Sequence, residues 1–298
     1  MNIFTRIERA DSSNMFNQLS EYAGAVSLVV TSPPYFNAIS YESHALDSSL
    51  NYRDRYSENY STEYLPFLDS VWEECSKMIK PGGILCINVG SVLEKGNHLP
   101  LPQDITTRIT KENSDFQYLN TILWHKVTAG VKRAGGVIAR PYPGYWYPNI
   151  MTEHILIFQK VGGKLTLDRS GVPKEWLNPI WDIAPVPSRS ANHPAPFPEE
   201  IPHRLVRIFT RPGDLVLDPF NGSGTTTKAA FDLGRSVIGL DLQESYVQLA
   251  KQRLSGESTL RPQQLSFGLV KRALFVPRPS QGKTRHGSGF ASSRGVSN

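Results

Sequence analysis

A Ser-Pro-Pro-Tyr segment at residues 32–35 directly follows the apolar run Val26–Thr31. Proline has no N–H group and a fixed φ angle, so Pro33 and Pro34 interrupt a strand and present carbonyls with few competing donors. Such a turn suits a site that accepts hydrogen bonds from an amino group, and Tyr35 adds a ring on which a base could stack. The alternative interpretation is a proline turn that only ends a strand.

A second segment, residues 218–226, has the sequence Asp-Pro-Phe-Asn-Gly-Ser-Gly-Thr-Thr and follows another apolar run. Ligands bind at such strand ends in open α/β sheets. Gly222 and Gly224 would let the backbone approach a ligand closely, and the helix that follows offers free N–H groups. Asp241 comes 23 positions after Asp218, where an acid can accept hydrogen bonds from ribose hydroxyls. The alternative is a tight turn without a ligand.

The spacing around this turn excludes two other nucleotide-binding motifs. A GxGxxG motif requires glycine at position 227, where the chain has Thr227. A P-loop requires a glycine before its lysine, whereas Lys228 follows Thr227. A glycine turn with a ribose acid and without phosphate-binding residues suits S-adenosylmethionine.

Together the two segments resemble the signatures of the beta-class amino-methylating DNA methyltransferases, which are [DNS]PP[YFW] and a DPFxGSGTT-type cofactor motif. The catalytic motif precedes the cofactor motif, which is similar to the circularly permuted order of that class. The resemblance covers roughly residues 6–254. It implies a Rossmann-like α/β sheet, S-adenosyl-L-methionine as the cofactor and double-stranded DNA as the substrate.

The resemblance also implies roles for individual residues. The Ser32 side chain and the Pro33 carbonyl would accept hydrogen bonds from the target amine, while Pro34 and Tyr35 complete the catalytic motif and Tyr35 stacks on a flipped base. The cofactor contacts that the resemblance implies are Asp11 (at the adenine), His193, Phe197 and Pro198 (over the methionine end), Asp218, Pro219, Phe220, Gly222, Gly224, Thr225, Thr226 and Asp241.

In this family SPPY is associated with the N4 amine of cytosine and DPPY mainly with the N6 amine of adenine. The resemblance therefore favours a cytosine-N4 DNA methyltransferase. Adenine-N6 methylation, methylation of RNA or protein, and a non-catalytic DNA-binding protein on the same fold remain alternatives. A cognate restriction endonuclease could act separately, and the DNA recognition sequence and oligomeric state stay open.

A basic segment rich in glycine and aromatic residues is the candidate DNA-binding loop. No acid falls between residues 126 and 147, and the positive residues are Lys126, Lys132, Arg133 and Arg140. Basic side chains between aromatics suit a loop that grips the DNA backbone, and the alternative is a solvated surface loop. Residues 161–192 lie where the family carries its target-recognition region, so we expect a small recognition lobe there.

The elements that must position these residues alternate between strand and helix, which predicts a mostly parallel α/β sheet. We expect strands at residues 26–31, 84–89, 118–124, 154–158, 215–217 and 236–240, and helices at 62–80, 104–112, 199–210, 224–233 and 244–254. The predicted organisation is a catalytic part (1–160), a small target-recognition region (161–192), a cofactor-binding part (193–255) and a basic, flexible tail (256–298).

Composition limits the remaining classes. The only cysteines are Cys75 and Cys86, which excludes a disulfide scaffold, and the seven histidines lack metal-ligand spacing, so no metal is expected. No apolar run reaches about 18 residues, so a cytoplasmic location without a membrane span is expected. The net charge of +5 arises from residues 261–298, which carry seven positive charges and no acid, whereas residues 1–260 carry a net charge of −2.

Overall fold

The computed structural model describes residues 3–36, 59–94, 97–111, 114–126, 151–165, 167, 170–186 and 198–256. The strands in these residues are β1 (Thr5–Arg9), β2 (Val26–Thr31), β3 (Ile79–Val89), β4 (Val92–Glu94), β5 (Asn97–Leu99), β6 (Phe116–Lys126), β7 (Thr152–Lys160), β8 (Ile180–Ile183), β9 (Leu215–Asp218) and β10 (Ser236–Asp241). The α-helices are α1 (Phe16–Leu19), α2 (Leu65–Met78), α3 (Leu101–Ile109), α4 (Glu200–Phe209), α5 (Thr225–Asp232) and α6 (Glu244–Ser255).

Eight of these strands form one sheet in the order β1-β10-β9-β2-β3-β7-β6-β8. The first five strands in this order, β1-β10-β9-β2-β3, are all parallel to one another. Strand β7 is antiparallel to both β3 and β6, and β8 is parallel to β6. The predicted α/β fold with a mostly parallel sheet is therefore confirmed. Because these five parallel strands run the same way, their carboxyl ends lie along one edge of the sheet.

Helices cover both faces of the sheet, which explains why its central strands are apolar on both sides. All six residues of β2 are buried. Val29 packs with α2 and α3 in one core, which also contains both apolar ends of α2, Leu65 and Met78. Val30 packs with the apolar side of α4 in the second core, where Ile201 and Leu205 lie one helical turn apart. The catalytic motif thus follows a strand that is held from two sides.

The structure corrects two of the predicted element boundaries. The helix expected to run to residue 80 ends at Met78, and β3 already begins at Ile79 and continues through the Pro-Gly-Gly sequence. The helix expected at 104–112 runs from Leu101 to Ile109. Strand β1 was not predicted, because only Ile7 of its five residues is buried and an edge strand of this kind lacks an apolar run.

The predicted target-recognition region contributes to the main sheet. Within 161–192, β8 pairs with β6, and the side chain of Trp181 is fully buried. Trp176 is buried beside it, and its carbonyl accepts a hydrogen bond from the Trp181 indole at 3.0 Å. The described part of this region therefore forms an edge of the main sheet, and its role in recognising DNA stays a prediction. No helix in the described residues could span a membrane.

A buried arginine connects the end of α4 to the turn before β10. Arg235 is only 2% exposed, and its guanidinium donates to the Thr210 hydroxyl at 2.9 Å and to the Thr210 carbonyl at 2.8 Å. A second carbonyl acceptor is provided by Leu233. The planar guanidinium thus joins the segment before β9 to the segment between α5 and β10.

We expect Arg235→Lys to lower the free energy of unfolding by about 2–4 kcal/mol, because an ammonium cannot reproduce this forked set of hydrogen bonds. Urea denaturation monitored by circular dichroism measures the change. The control is Arg211→Lys, because the Arg211 side chain is exposed nearby, and we expect a change below about 0.5 kcal/mol there. Equal effects of the two substitutions would contradict the structural role of Arg235.

Candidate active site

The Ser-Pro-Pro-Tyr turn and the glycine turn are neighbours in space. They follow β2 and β9, which pair in parallel with Val29 opposite Leu217. The Thr31 hydroxyl donates to Asp218 Oδ1 at 2.7 Å, a contact between residues 187 positions apart in the chain. The structure therefore brings the two motifs together at the carboxyl edge of the sheet.

Asp218 is a buried acid at the centre of this arrangement. It is only 1% exposed, and burial raises the pKa of its carboxyl to about 6. Hydrogen bonds from the Thr31 hydroxyl and from the Phe220 N–H, the latter at 3.0 Å, act against this increase because they favour the carboxylate. The charge of Asp218 is thus compensated by donors from both motifs.

The glycine turn is shaped by packing as well as by access to a ligand. Gly224 has a φ of +80°, and a Cβ atom there would lie 2.9 Å from the Cβ of Ala250 in α6. Gly224 is therefore required for close contact with α6, a reason beyond the ligand approach that the sequence predicts. Gly222 also has a positive φ, and its N–H points at Asp241.

Asp241 joins the turns after β9 and β10. Its Oδ2 accepts from the Gly222 N–H at 2.9 Å, and its Oδ1 accepts from the Gln243 N–H at 2.8 Å. Asp241 is thereby fixed between the two turns, and its predicted contact with ribose hydroxyls stays a prediction. The backbone carbonyl of Asp241 also accepts from the Ala10 N–H at 3.1 Å, which brings the end of β1 to the same place.

Asp11 directly precedes Ser12, which contacts the segment that leads into the glycine turn, and the predicted contact of Asp11 with the adenine stays a prediction. Its Oδ1 accepts hydrogen bonds from the N–H and hydroxyl of Ser13 and so caps the short 3-10 turn Ser12–Asn14. The Ser12 hydroxyl donates to the Pro219 carbonyl. Asp11 and Asp241 thus follow the two strands β1 and β10, which are adjacent in the sheet.

The residues around this edge fit S-adenosylmethionine. Two acids follow adjacent strands, a glycine turn lies next to them, and the buried Gln243 side chain has two amide atoms that find no partner in the described residues. Such atoms need a polar partner, which a ligand can supply. Phe220 is partly buried against Phe67 and Trp72, so its ring forms the apolar side of this region.

The remaining predicted cofactor residues flank this region. Thr225 and Thr226 are buried at the start of α5, and the Thr225 hydroxyl accepts a hydrogen bond from Arg253 at 3.2 Å. Pro198 is buried just before α4, where its carbonyl accepts from the Ile201 N–H. His193, Phe197, Lys132, Arg133 and Arg140 lie outside the described residues, so their predicted roles stay predictions.

The Ser-Pro-Pro-Tyr turn is held at its second proline. The Pro34 carbonyl accepts a hydrogen bond from the Tyr64 hydroxyl at 2.8 Å, and the Tyr64 ring lies against the buried Phe36. In contrast, no other described residue forms a hydrogen bond with the Ser32 hydroxyl or the Pro33 carbonyl. The two acceptors that the resemblance assigns to the target amine are therefore open within the described part of the chain.

A polar cluster that the sequence analysis missed lies next to this motif. Glu153, at the start of β7, is 6% exposed, and its Oε2 accepts from the Tyr35 hydroxyl at 2.9 Å and from Asn88 Nδ2 at 2.6 Å. Its Oε1 pairs with Lys126 Nζ at 2.5 Å. Lys126 was predicted to bind DNA, but its ammonium pairs with this carboxylate and lies 5.2 Å from the Trp124 ring centroid.

A polar residue before the apolar run 154–158 is the only sequence signal that Glu153 offers. Assigning it to the site requires knowledge that β7 runs antiparallel to β3, because only then does the start of β7 lie at the carboxyl edge of β3. Asn88 presents the same difficulty, since it lies within the apolar strand β3 without a motif around it.

The fold and the geometry of this edge define the class of protein. An open α/β sheet in which the Ser-Pro-Pro-Tyr turn and the glycine turn follow the neighbouring strands β2 and β9, with Asp241 at the end of the next strand β10, is the arrangement of a Rossmann-like S-adenosylmethionine-dependent methyltransferase. Comparisons with known proteins identify the family within that class.

The sequence model described as DNA methylase matches residues 26–252. The type II methyltransferase M.MjaI of Methanocaldococcus jannaschii is 32% identical over 77% of this chain and 85% of its own length. The type II beta methyltransferase M.BslI of a Bacillus species is 29% identical over 85% of this chain, which spans only 28% of that relative. The chain belongs to the DNA methylase family, and the predicted kinship with beta-class amino-methyltransferases is confirmed.

A solved structure agrees with this assignment. The Thermus thermophilus protein TTHA0409, in complex with S-adenosyl-L-methionine, is 34% identical and superposes with a TM-score of 0.62 over 86% of this chain and 96% of its own. The predicted cofactor, S-adenosylmethionine, is therefore confirmed for this family member.

The raised pKa of Asp218 predicts a pH-dependent loss of stability. Between the unfolded pKa of 3.8 and the folded pKa of about 6, the folded state binds more protons than the unfolded state, so this carboxyl destabilises the fold as the pH rises. Asp218→Asn cannot ionise. Relative to wild type, its free energy of unfolding should therefore rise by up to about 3 kcal/mol between pH 4 and pH 7.

Urea denaturation of both proteins across this pH range measures the difference. Asp232→Asn, the same substitution at an exposed acid at the end of α5, is the control over the same pH values. A difference between Asp218→Asn and wild type that stays constant from pH 4 to pH 7 would contradict the burial of an ionisable Asp218.

We expect Asp241→Ala to weaken the binding of S-adenosylmethionine by about 10- to 100-fold, because hydrogen bonds to a charged acceptor are lost. Isothermal titration calorimetry measures the affinity, and a thermal melt checks that the turn at Gly222 still folds. Asp241→Asn keeps one acceptor oxygen and should show a smaller loss. Equal affinities of wild type and Asp241→Ala would argue against a ribose contact.

Proposed function

We propose that the protein transfers a methyl group from S-adenosylmethionine to the exocyclic N4 amine of a flipped cytosine in duplex DNA. The observation that carries this proposal is the position of the Ser32 turn beside the glycine turn, joined by the hydrogen bond from Thr31 to Asp218. Bound S-adenosylmethionine supplies an electrophilic methyl group. The chain must then hold an amine in line with it.

The residues after β2 suit an amine whose lone pair is conjugated into a ring. Two hydrogen bonds from the amine, to the Ser32 hydroxyl and the Pro33 carbonyl, favour a pyramidal nitrogen with an available lone pair. Both acceptors are open in the described residues. The reaction then depends mainly on alignment and on electrostatic support as charge develops on nitrogen, and no covalent bond to the protein is required.

The target amine is paired in duplex DNA, so the base must leave the helix before it can react. Tyr35 is half-buried beside Ser32 and offers a ring for the flipped base. Stacking of a base on an aromatic side chain contributes roughly 1–3 kcal/mol, which offsets part of the cost of unpairing. The proposal assigns this stacking role to Tyr35.

The choice of cytosine rests on the first residue of the motif. Ser32 stands where relatives that methylate adenine mainly carry aspartate, and the SPPY form is associated with cytosine. Adenine offers the same kind of exocyclic amine, so the product decides between the two.

The test is to incubate the protein with labelled S-adenosylmethionine and mixed-sequence duplex DNA and to identify the modified nucleoside after digestion. We expect N4-methylcytosine. Ser32→Ala should lower kcat by at least tenfold while changing the affinity for S-adenosylmethionine less than twofold, because Ser32 contacts the base and not the cofactor. N6-methyladenine would reject the cytosine assignment, and cofactor binding without labelled DNA would reject DNA methylation.

A further inference from the structure

We propose that Glu153 is a positioning residue of the methyl-transfer site, which acts by holding the Tyr35 ring in place for the target base. This inference rests on the proposed function of Tyr35. Glu153 lies outside both sequence motifs and belongs to β7, whereas the motifs follow β2 and β9.

The Glu153 carboxylate is held in place by two partners other than Tyr35. It is buried, and both of its oxygens are engaged, with Lys126 on Oε1 and Asn88 Nδ2 on Oε2. These partners come from β6 and β3, the two strands that flank β7. A buried carboxylate needs such compensation, and it gains a fixed position from partners on two neighbouring strands.

The fixed carboxylate then restrains the phenol. The Tyr35 hydroxyl donates to Glu153 Oε2 at 2.9 Å, at the far end of the ring from the backbone. Tyr35 belongs to the turn after β2, and its own backbone holds the near end of the ring. The phenol oxygen lies on the long axis of the ring, so a charged acceptor at the far end fixes the direction of that axis and limits rotation about the Cα–Cβ bond. The ring is thereby held in one position next to the Ser-Pro-Pro-Tyr backbone.

The protein contains a matched carboxylate elsewhere. Glu74 in α2 is also buried, accepts from the Phe16 N–H at 2.7 Å and pairs with Lys77 at 2.5 Å. It has the same chemistry and burial as Glu153 but belongs to a helix on one face of the sheet. A purely structural role for Glu153 predicts similar effects of substitution at both positions, whereas the positioning role predicts an effect on turnover at Glu153 alone.

The kinetic test is a double-mutant cycle between Glu153→Ala and Tyr35→Phe, with DNA methylation measured at saturating S-adenosylmethionine. Tyr35→Phe keeps the ring but removes the donor, and we expect kcat to fall about tenfold for each single variant. Because both variants break the same contact, the double variant should lose less than twofold more. Affinity for S-adenosylmethionine should stay within twofold, and Glu74→Ala should keep wild-type kcat.

Losses that multiply in the double variant, or a Glu153→Ala protein with wild-type kcat, would overturn the proposal. If Glu153→Ala fails to fold, Glu153→Gln replaces it, because its amide oxygen can still accept from Tyr35 and we expect it to retain more turnover than Tyr35→Phe. A loss for Glu153→Gln larger than for Tyr35→Phe would also overturn the proposal.

A second measurement does not depend on methylation. With ¹³C-labelled tyrosine, NMR relaxation should show a well-ordered axis of the Tyr35 ring in the wild type and a more mobile axis in Glu153→Ala, with the Tyr35 signals of Glu74→Ala unchanged. Unchanged ring motion in Glu153→Ala would overturn the positioning role. A wild-type protein with a restrained ring but without activity on DNA would instead contradict the proposed function.

Discussion

The hydrogen bond between Thr31 and Asp218 is the contact on which the rest of the site depends. It joins the ends of two adjacent parallel strands, and each end leads directly into a motif with its own chemical task. Asp218 also binds the Phe220 N–H, so one buried carboxylate sets the start of the glycine turn and the last residue before the Ser-Pro-Pro-Tyr turn. Burial raises the pKa of this acid, which means that the fold gives up some stability to keep the two turns in register.

The strand β7, which is antiparallel to both of its neighbours, contributes to the site from its first residues. A strand that runs the other way brings its first residues, and not its last, to the carboxyl edge of β3. Glu153 therefore reaches the site from the start of a strand and can meet Asn88 and Tyr35 there. The parallel half of the sheet supplies the two motifs, and the antiparallel strand supplies the buried carboxylate beside them.

The sequence predicted the parts of this structure that leave a local pattern. Strands such as β2 and β9 are continuous apolar runs followed by turns with proline or glycine, and both were predicted at nearly their observed bounds. Strand β1 and the Glu153 cluster could not be predicted in the same way. Only one of the five side chains of β1 is buried, and the position of Glu153 at the site follows only from the order and direction of strands that are distant in the sequence.

Two basic side chains near the described site are paired with carboxylates of the protein. Lys126, the one predicted DNA-binding residue that the structure describes, pairs with Glu153, and Arg253 pairs with Glu199 at 2.8 Å. Residues 1–260 carry a net charge of −2, whereas residues 261–298 carry +7. Sequence-independent attraction to phosphates scales with the number of positive charges that contact the backbone. Residues 127–147 and 261–298 carry positive charges and no acid, and both stretches lie outside the described residues, so their contact with DNA stays a prediction.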